Sequence, residues 1–470
     1  MRTTGGRRYI SSLALRIAVS VAATGCIALA AAPAPRLYTV EHYDVALQSD
    51  LSRRRLAGEA TLRFHSLSDE PVTALELDAG GLEISSVEEG KIPQWFERQG
   101  EMLVIALAKP LYPRESRSLS LRYQAGPSAG LAFFPDQVYG SAASAWMPCN
   151  DRPGERATLS LSLAVPADFR SAASGRLIAT RSAGGQSVAD WQLDSPATPS
   201  FYGFALGTFP EKTSTAEGVR LRVLGVGPEV FEPTTAAIRY LAERTGKPYP
   251  GPAYTQVFVH GDAARSLAGG VALLPETCAQ GLSKEPEKLW LLARVLASQW
   301  YGIGIAVKDW SDLWLSEGVS GFVADAFLGQ RFGAEAYERG ILRSRQIYDR
   351  LRAAGKDRPL SYTEWTTRQD AGGDIPLHKG VCFLYVVHEL VGETVFWERL
   401  RVYTDAEWSE PASSEDLQNV FRGAIPEQRK GGQRGGRDRG KATAKNLGSL
   451  FDLWVYGIPP DTSSNKESRR

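Results

Sequence analysis

From Leu37 to about Pro210 the chain alternates apolar and polar residues with a period of two. Ala60, Leu62 and Phe64 alternate with Thr61 and Arg63, and Leu119, Leu121 and Tyr123 with Ser120 and Arg122. Leu159, Leu161, Leu163 and Val165 alternate with small residues in the same way. Successive side chains of a strand point to opposite faces, so this pattern fits half-buried strands rather than helices. The runs are short and punctuated by Gly, Pro and Asp, which predicts an antiparallel β-sandwich over residues 36–210.

After Pro210 the texture changes. Strand-like stretches, Val219 to Val226 and Gln256 to Val259, mix with helical patterns. Ser283 is placed to cap a helix in which Leu289, Leu292, Leu296 and Trp300 form one stripe, with Arg294 and Ser298 on the face away from it. A second helix is expected after Leu315, and others between Ala334 and Leu400. Residues 211–460 therefore read as an α/β unit with a helical end, and the whole as an α+β multidomain protein. At 470 residues the chain can build two or three cores.

Arg2, Arg7 and Arg8 precede an apolar stretch from Ile17 to about Ala32 that ends in small residues before Pro33. That order predicts an export signal over residues 1–34 and a periplasmic or extracellular protein. Ala23-Thr24-Gly25-Cys26 offers a lipoprotein alternative, with Cys26 as a membrane tether. Lys plus Arg number 54 against 53 for Asp plus Glu, so net charge selects no partner. Residues 428–445, QRKGGQRGGRDRGKATAK, read as a flexible basic loop, and residues 461–470 as a disordered tail. The loop has no aromatic residues for stacking on bases, so no nucleic-acid partner is expected. Cys149, Cys278 and Cys382 have no C-x-x-C spacing and read as buried thiols.

A helical zinc-peptidase site needs H-E-x-x-H, with two imidazoles four residues apart and the Glu as general base. None of the five histidines forms such a pair; His388-Glu389 begins the motif, but Gly392 takes the second histidine's place. Gly126-Pro127-Ser128-Ala129-Gly130 fits the esterase elbow G-x-S-x-G, yet it lies among predicted strands rather than at a strand-to-helix turn.

Several segments resemble, in order, the zinc aminopeptidases of peptidase family M1, the gluzincin group. Trp146-Met147-Pro148-Cys149-Asn150-Asp151-Arg152-Pro153, followed by Arg156-Ala157-Thr158, is similar to W-x-P-C-x-D-x-P…RAT. Ala268-Gly269-Gly270-Val271-Ala272-Leu273 falls where the family has its G-x-M-E-N substrate strand. Gln299-Trp300-Tyr301-Gly302 and Asp312-Leu313-Trp314-Leu315-Ser316-Glu317-Gly318 resemble H-Q-W-F-G and D-L-W-L-N-E-G. Lys379-Gly380 and Leu450-Phe451-Asp452-Leu453-Trp454-Val455-Tyr456 resemble Y-x-K-G and F-F-D-x-W-V-Y. The resemblance implies an N-terminal β-sandwich followed by a thermolysin-like domain.

It also implies which chemistry is missing. Arg294 and Ser298 stand at the two histidine ligands and Val295 at the catalytic Glu, while Glu317 matches the third ligand, with eighteen residues between it and Ser298. Ala272 replaces the Glu that grips the substrate's amine, and Leu377 the Tyr that steadies the tetrahedral intermediate. A guanidinium has no lone pair for a metal and repels it. No catalytic residue and no zinc are therefore expected. Arg294 is expected either to pair with Glu317 through a two-pronged hydrogen bond or to point into a wet cleft.

Gly269, Gly270, Val271, Ala272, Glu276 and His378 are the candidates for a residual substrate cleft, while Trp300, Trp310 and Trp314 read as core. The leading expectation is an exported, catalytically inactive aminopeptidase homologue with a cleft for a peptide or protein. Two alternatives stay open. One is an active metallo-aminopeptidase whose metal, zinc in this reading, is held by ligands such as Glu317 and His378 with another carboxylate; the other is a structural cell-envelope protein.

Overall fold

The two-residue alternation is realised as strands. In Arg55–Ser66, the residues Leu56, Gly58, Ala60, Leu62 and Phe64 face the core while Ala57, Glu59 and Arg63 face water. The computed structural model describes residues 36–183, 185–365, 373–422 and 446–459. The signal over 1–34 with Cys26, the basic loop 428–445 and the tail 461–470 lie outside the described residues.

One sheet has eight strands: β1 (Tyr38–Asp50), β2 (Arg55–Ser66), β3 (Glu83–Glu89), β4 (Ile92–Pro93), β5 (Ser116–Ala125), β6 (Ala157–Pro166), β7 (Arg176–Ala183) and β8 (Gln186–Ala197). Their order across the sheet is β7-β8-β6-β1-β2-β5-β3-β4. A three-stranded sheet (Val72–Asp78, Met102–Leu111, Trp95–Gln99) and a four-stranded sheet (Arg170–Ala173, Phe204–Gly207, Gln137–Gly140, Leu131–Phe133) share its core. The expectation of an antiparallel sandwich needs one correction, because β1 and β6 run parallel, His42 beside Thr158 through Gln48 beside Ala164. Over a hundred residues separate them, so no hairpin dictates their direction, and a parallel pair needs only such a long connection.

Beyond this β-rich half the chain builds a five-stranded sheet and a helical layer. The strands are β9 (Glu211–Ala216), β10 (Val219–Leu224), β11 (Ala253–Val259), β12 (Arg265–Leu267) and β13 (Val271–Pro275), in the order β9-β10-β11-β13-β12. The three inner strands are parallel and the outer two antiparallel to their neighbours. The unbroken apolar run Val271-Ala272-Leu273-Leu274-Pro275 fits β13, which is buried throughout. The helices are α1 (Phe231–Thr245), α2 (Pro286–Ala297), α3 (Trp314–Phe332), α4 (Ala334–Ala353) and α5 (Gly380–Val391). Helices Glu393–Ala406 and Ser414–Arg422 follow.

Ser283 does not cap α2. The helix opens with Pro286 in its first turn, where a missing N–H costs nothing, and Glu285 is its N-cap. It ends at Ala297, one turn before the stripe does, yet Leu289, Leu292, Leu296 and Trp300 are all buried. α3 and α5 approach backbone to backbone: a Cβ added at Gly318 would sit 2.9 Å from the Gly380 Cα. Glycine at both positions therefore lets the family-like segments E-G and K-G meet. Trp300, Trp310 and Trp314 lie in the core, the first and last fully buried. Cys149, Cys278 and Cys382 are buried and free. Among the described residues no helix is long and apolar enough to cross a membrane.

Candidate functional site

α2 and α3 pack directly on each other and carry the residues of interest on their facing sides. Arg294 is in the last turn of α2, Ser298 follows one turn later as the helix's C-cap, and Glu317 lies in the first turn of α3. Arg294 Nη1 donates to Glu317 Oε2 at 3.0 Å. Both side chains are mostly buried, at 16% and 15% exposure. The Arg294 guanidinium makes this one hydrogen bond among the described residues, rather than a two-pronged fork, and its Nε is buried without an acceptor among them. The guanidinium carbon lies 5.5 Å from the centre of the Trp290 ring, one turn earlier on α2. The Arg343 guanidinium lies over the same ring at 4.2 Å and reaches Asp325 Oδ1 at 3.3 Å. Two arginines and one indole thus connect Glu317 and Asp325, two carboxylates of α3, with α2 and α4.

The other positions contribute no chemistry of their own. Val295 is buried. The Ser298 hydroxyl donates to the Arg294 carbonyl at 3.1 Å and lies 3.4 Å from Ser320 Oγ. Leu377, in a π-turn over Ile375–Lys379, brings an apolar side chain to the same recess. Lys379 of that turn is buried and donates to Asp357 Oδ1 at 2.8 Å, so it ties the turn to the segment after α4.

The recess has a volume of about 150 Å³. Arg294, Val295, Ser298, Glu317 and Leu377 line it, as do Arg265 and Ser266 of β12, the edge strand of the five-stranded sheet. The structure thus brings a different strand to the cleft from the one expected. Val271 and Ala272 are inside β13, between β11 and β12, and do not line the recess. Gly269 and Gly270 do not line it either; both have positive φ, 77° and 79°. A Cβ at Gly269 would fall 2.1 Å from the Gly175 nitrogen, so the pair closes a seam against the turn before β7.

Glu276 is also displaced from its expected place. It follows β13 and accepts from His260 Nδ1 at 2.8 Å, away from the recess. His378 is buried beside Ser344, with Nδ1 3.2 Å from Oγ, and does not line the recess. Burial, helped by Arg343, Arg294 and Arg350, pushes its pKa down to about 4, so it is neutral at ordinary pH. Ser128 pairs its backbone with Leu131 in a tight hairpin, which is no nucleophile elbow.

Arg265 and Ser266 were missed, although a signal for them existed. Five consecutive apolar residues in VALLP mark an inner strand, whereas Arg265 and Ser266 are what an exposed sheet edge carries.

Comparison with known proteins agrees with this architecture. The peptidase M1 N-terminal domain matches residues 39–202, and the peptidase family M1 domain matches residues 230–454. The chain belongs to peptidase family M1. Aminopeptidase B of Mus musculus is 22% identical over 488 residues, covering 92% of this chain and 72% of the relative. A probable aminopeptidase 1 of Sulfurisphaera tokodaii is 23% identical, over 82% of this chain and 51% of the relative. The M1 zinc metallopeptidase of Deinococcus radiodurans has the same fold, with a TM-score of 0.70 at 23% identity. That match covers 91% of this chain and 96% of the other.

The M1 fold implies zinc, and the residues present do not fit it. A tetrahedral zinc site takes three protein donors such as imidazole, thiolate or carboxylate. Here the positions carry a fixed cation, a hydroxyl bonded to a carbonyl, and one carboxylate already held by that cation. Among the described residues no three His, Cys, Asp or Glu side chains converge on a metal site.

Proposed function

We propose that this M1 family protein is not a peptidase but a binding protein, which keeps the aminopeptidase scaffold and a reduced cleft for a peptide or protein ligand. The single observation that supports it most is the 3.0 Å contact between Arg294 and Glu317 at the family's metal-ligand positions. A guanidinium cannot give up its proton at any working pH, so a divalent ion entering here would meet a fixed positive charge. Val295 beside it has no group to take a proton from water, and Leu377 none to stabilise an oxyanion. Metal-assisted hydrolysis of a peptide bond draws on all three contributions. The charged, apolar, small-residue order of residues 1–34 supports an exported protein in this reading, with Cys26 as an optional tether.

Metal content and turnover test the proposal together. Purified protein is expected to hold well under one zinc per chain, and to cleave aminoacyl amide substrates no faster with added zinc than with chelator. About one zinc per chain, lost in Glu317→Ala together with a chelator-sensitive activity, would overturn it.

A further inference from the structure

A second concavity, larger than the cleft, lies between the hairpin β7–β8 and the hairpin β9–β10, with a volume of about 990 Å³. Its apolar lining includes Phe169, Leu177, Trp191, Ile303 and Trp408. Its charge comes from five arginines, Arg156, Arg170, Arg176, Arg220 and Arg222, against two carboxylates, Asp194 and Glu211, an excess of three positive charges. Glu211 serves both Arg222, at 2.7 Å, and Arg170, at 3.2 Å. Asp194 takes Arg176 at 3.1 Å. Arg156 donates to the carbonyls of Pro196 and Ser409 and meets no carboxylate within ion-pair distance among the described residues. The Arg220 side chain is exposed and has no hydrogen-bond or ion-pair partner among the described residues. One border of the groove is β7, the end strand of the eight-stranded sheet, paired on one side only. Leu177 and Ile178 on β7 are 47% and 48% exposed. An unprotected apolar edge next to uncompensated cations is unusual for a surface that meets only water.

We propose that this groove takes an extended acidic segment of a partner protein, laid along the free edge of β7. The edge supplies backbone hydrogen bonds, the apolar floor takes alternate side chains, and the arginines meet the acidic ones between them. The occupant does not come from the basic stretches of this chain. Residues 1–35 contain no Asp or Glu, and residues 428–445 contain one, Asp438, so both are repelled by the groove. The groove is separate from the Arg294–Glu317 recess, and this inference stands whether or not that recess binds peptide.

The test uses fluorescence anisotropy of the full chain with a labelled decapeptide of alternating Glu and Val. Saturable, salt-weakened binding is expected, reduced about tenfold or more by Arg176→Glu with Arg220→Glu. It is expected to be unchanged in Arg294→Gln with Glu317→Gln, and a single-stranded oligonucleotide of equal charge is expected to bind at least about tenfold more weakly, since length and alternation as well as charge are read. Where the double variant fails to fold, Arg220→Glu alone keeps the test valid, because that side chain supports no contact. Absence of saturable binding overturns the proposal, as does equal affinity for the oligonucleotide. Loss of binding in the recess variant with none in the groove variant overturns it too, and assigns the peptide to the recess.

Discussion

At the scale of single residues, the energetic meaning of Arg294 depends on its burial. An ion pair in full solvent contributes little, and one sealed in a core leaves a strongly unfavourable charge when half of it is removed. Arg294 and Glu317, each about 15% exposed, lie between these limits. Arg294→Ala and Glu317→Ala should each cost about 2 kcal/mol, and the double variant about as much as either single one. Urea unfolding of the three variants measures this directly. Costs that simply add would mean that the two side chains stabilise their helices independently. Glu317→Gln should be milder than Glu317→Ala, since its amide oxygen still accepts from the guanidinium. The spacing of Arg294 and Glu317 within a family pattern made their proximity readable from sequence. The single-pronged geometry was not readable, because it depends on how the Trp290 ring and Arg343 hold the guanidinium.

At the scale of elements, α3, α4 and the π-turn over Ile375–Lys379 meet around two buried groups that titrate against each other. Burial raises the Asp325 carboxyl to about 7 although Arg343 opposes it. Burial lowers His378 to about 4, with Asp374 opposing and Arg343, Arg294 and Arg350 assisting. A raised carboxyl contributes stability that is complete below the unfolded value near 3.8 and is lost as pH rises to about 7. A lowered imidazole contributes stability that is complete above 6.5 and is lost as pH falls to about 4. The two slopes cancel over one window in the native chain. Asp325→Asn should therefore leave a protein that loses roughly 3 kcal/mol as pH falls from 6.5 to 4. His378→Gln should leave one that gains a similar amount, roughly 4 kcal/mol, as pH falls from 7 to 4. Urea midpoints across that range decide it, and slopes of the same sign in both variants would refute the opposition. The helices themselves were legible from their apolar stripes, since a buried face repeats in sequence. Which strand borders the recess was not, because Gly269-Gly270 imitates a family motif while its positive φ angles serve a seam. Which strand of a sheet lies at the edge is decided by tertiary order, and only the polarity of Arg265-Ser266 hints at it.

At the scale of the whole molecule, the alternation before Pro210 foretold a sandwich. It could not foretell that β1 and β6 run parallel, since alternation is the same in either direction. Nor did it foretell how the β-rich half is held to the half that follows. A histidine makes one of those ties. His260, after β11, receives the Tyr139 hydroxyl on its carbonyl at 3.1 Å and gives its own N–H to Gln137 Oε1 at 3.1 Å. Its ring bridges the halves, with Nε2 3.2 Å from Asp136 Oδ1 and Nδ1 2.8 Å from Glu276 Oε1. Both nitrogens can donate to carboxylates only in the imidazolium form. The hydrogen bond to Glu276, then that to Asp136, accordingly raises the His260 pKa above its ordinary 6.5. A raised imidazole contributes stability that is complete below 6.5 and is lost as pH rises through the folded value. The junction should therefore loosen on the alkaline side, in the direction opposite to His378. His260→Gln keeps a hydrogen-bonding side chain without the charge, and should flatten the loss of stability that the native chain undergoes as pH rises above the ordinary 6.5. Hydrogen exchange at the amides of residues 137–140 and 258–260 locates the effect. Faster exchange there at alkaline pH, in the native chain and not in the variant, is the expected result. Equal acceleration in both would show that the tie holds through its backbone bonds alone.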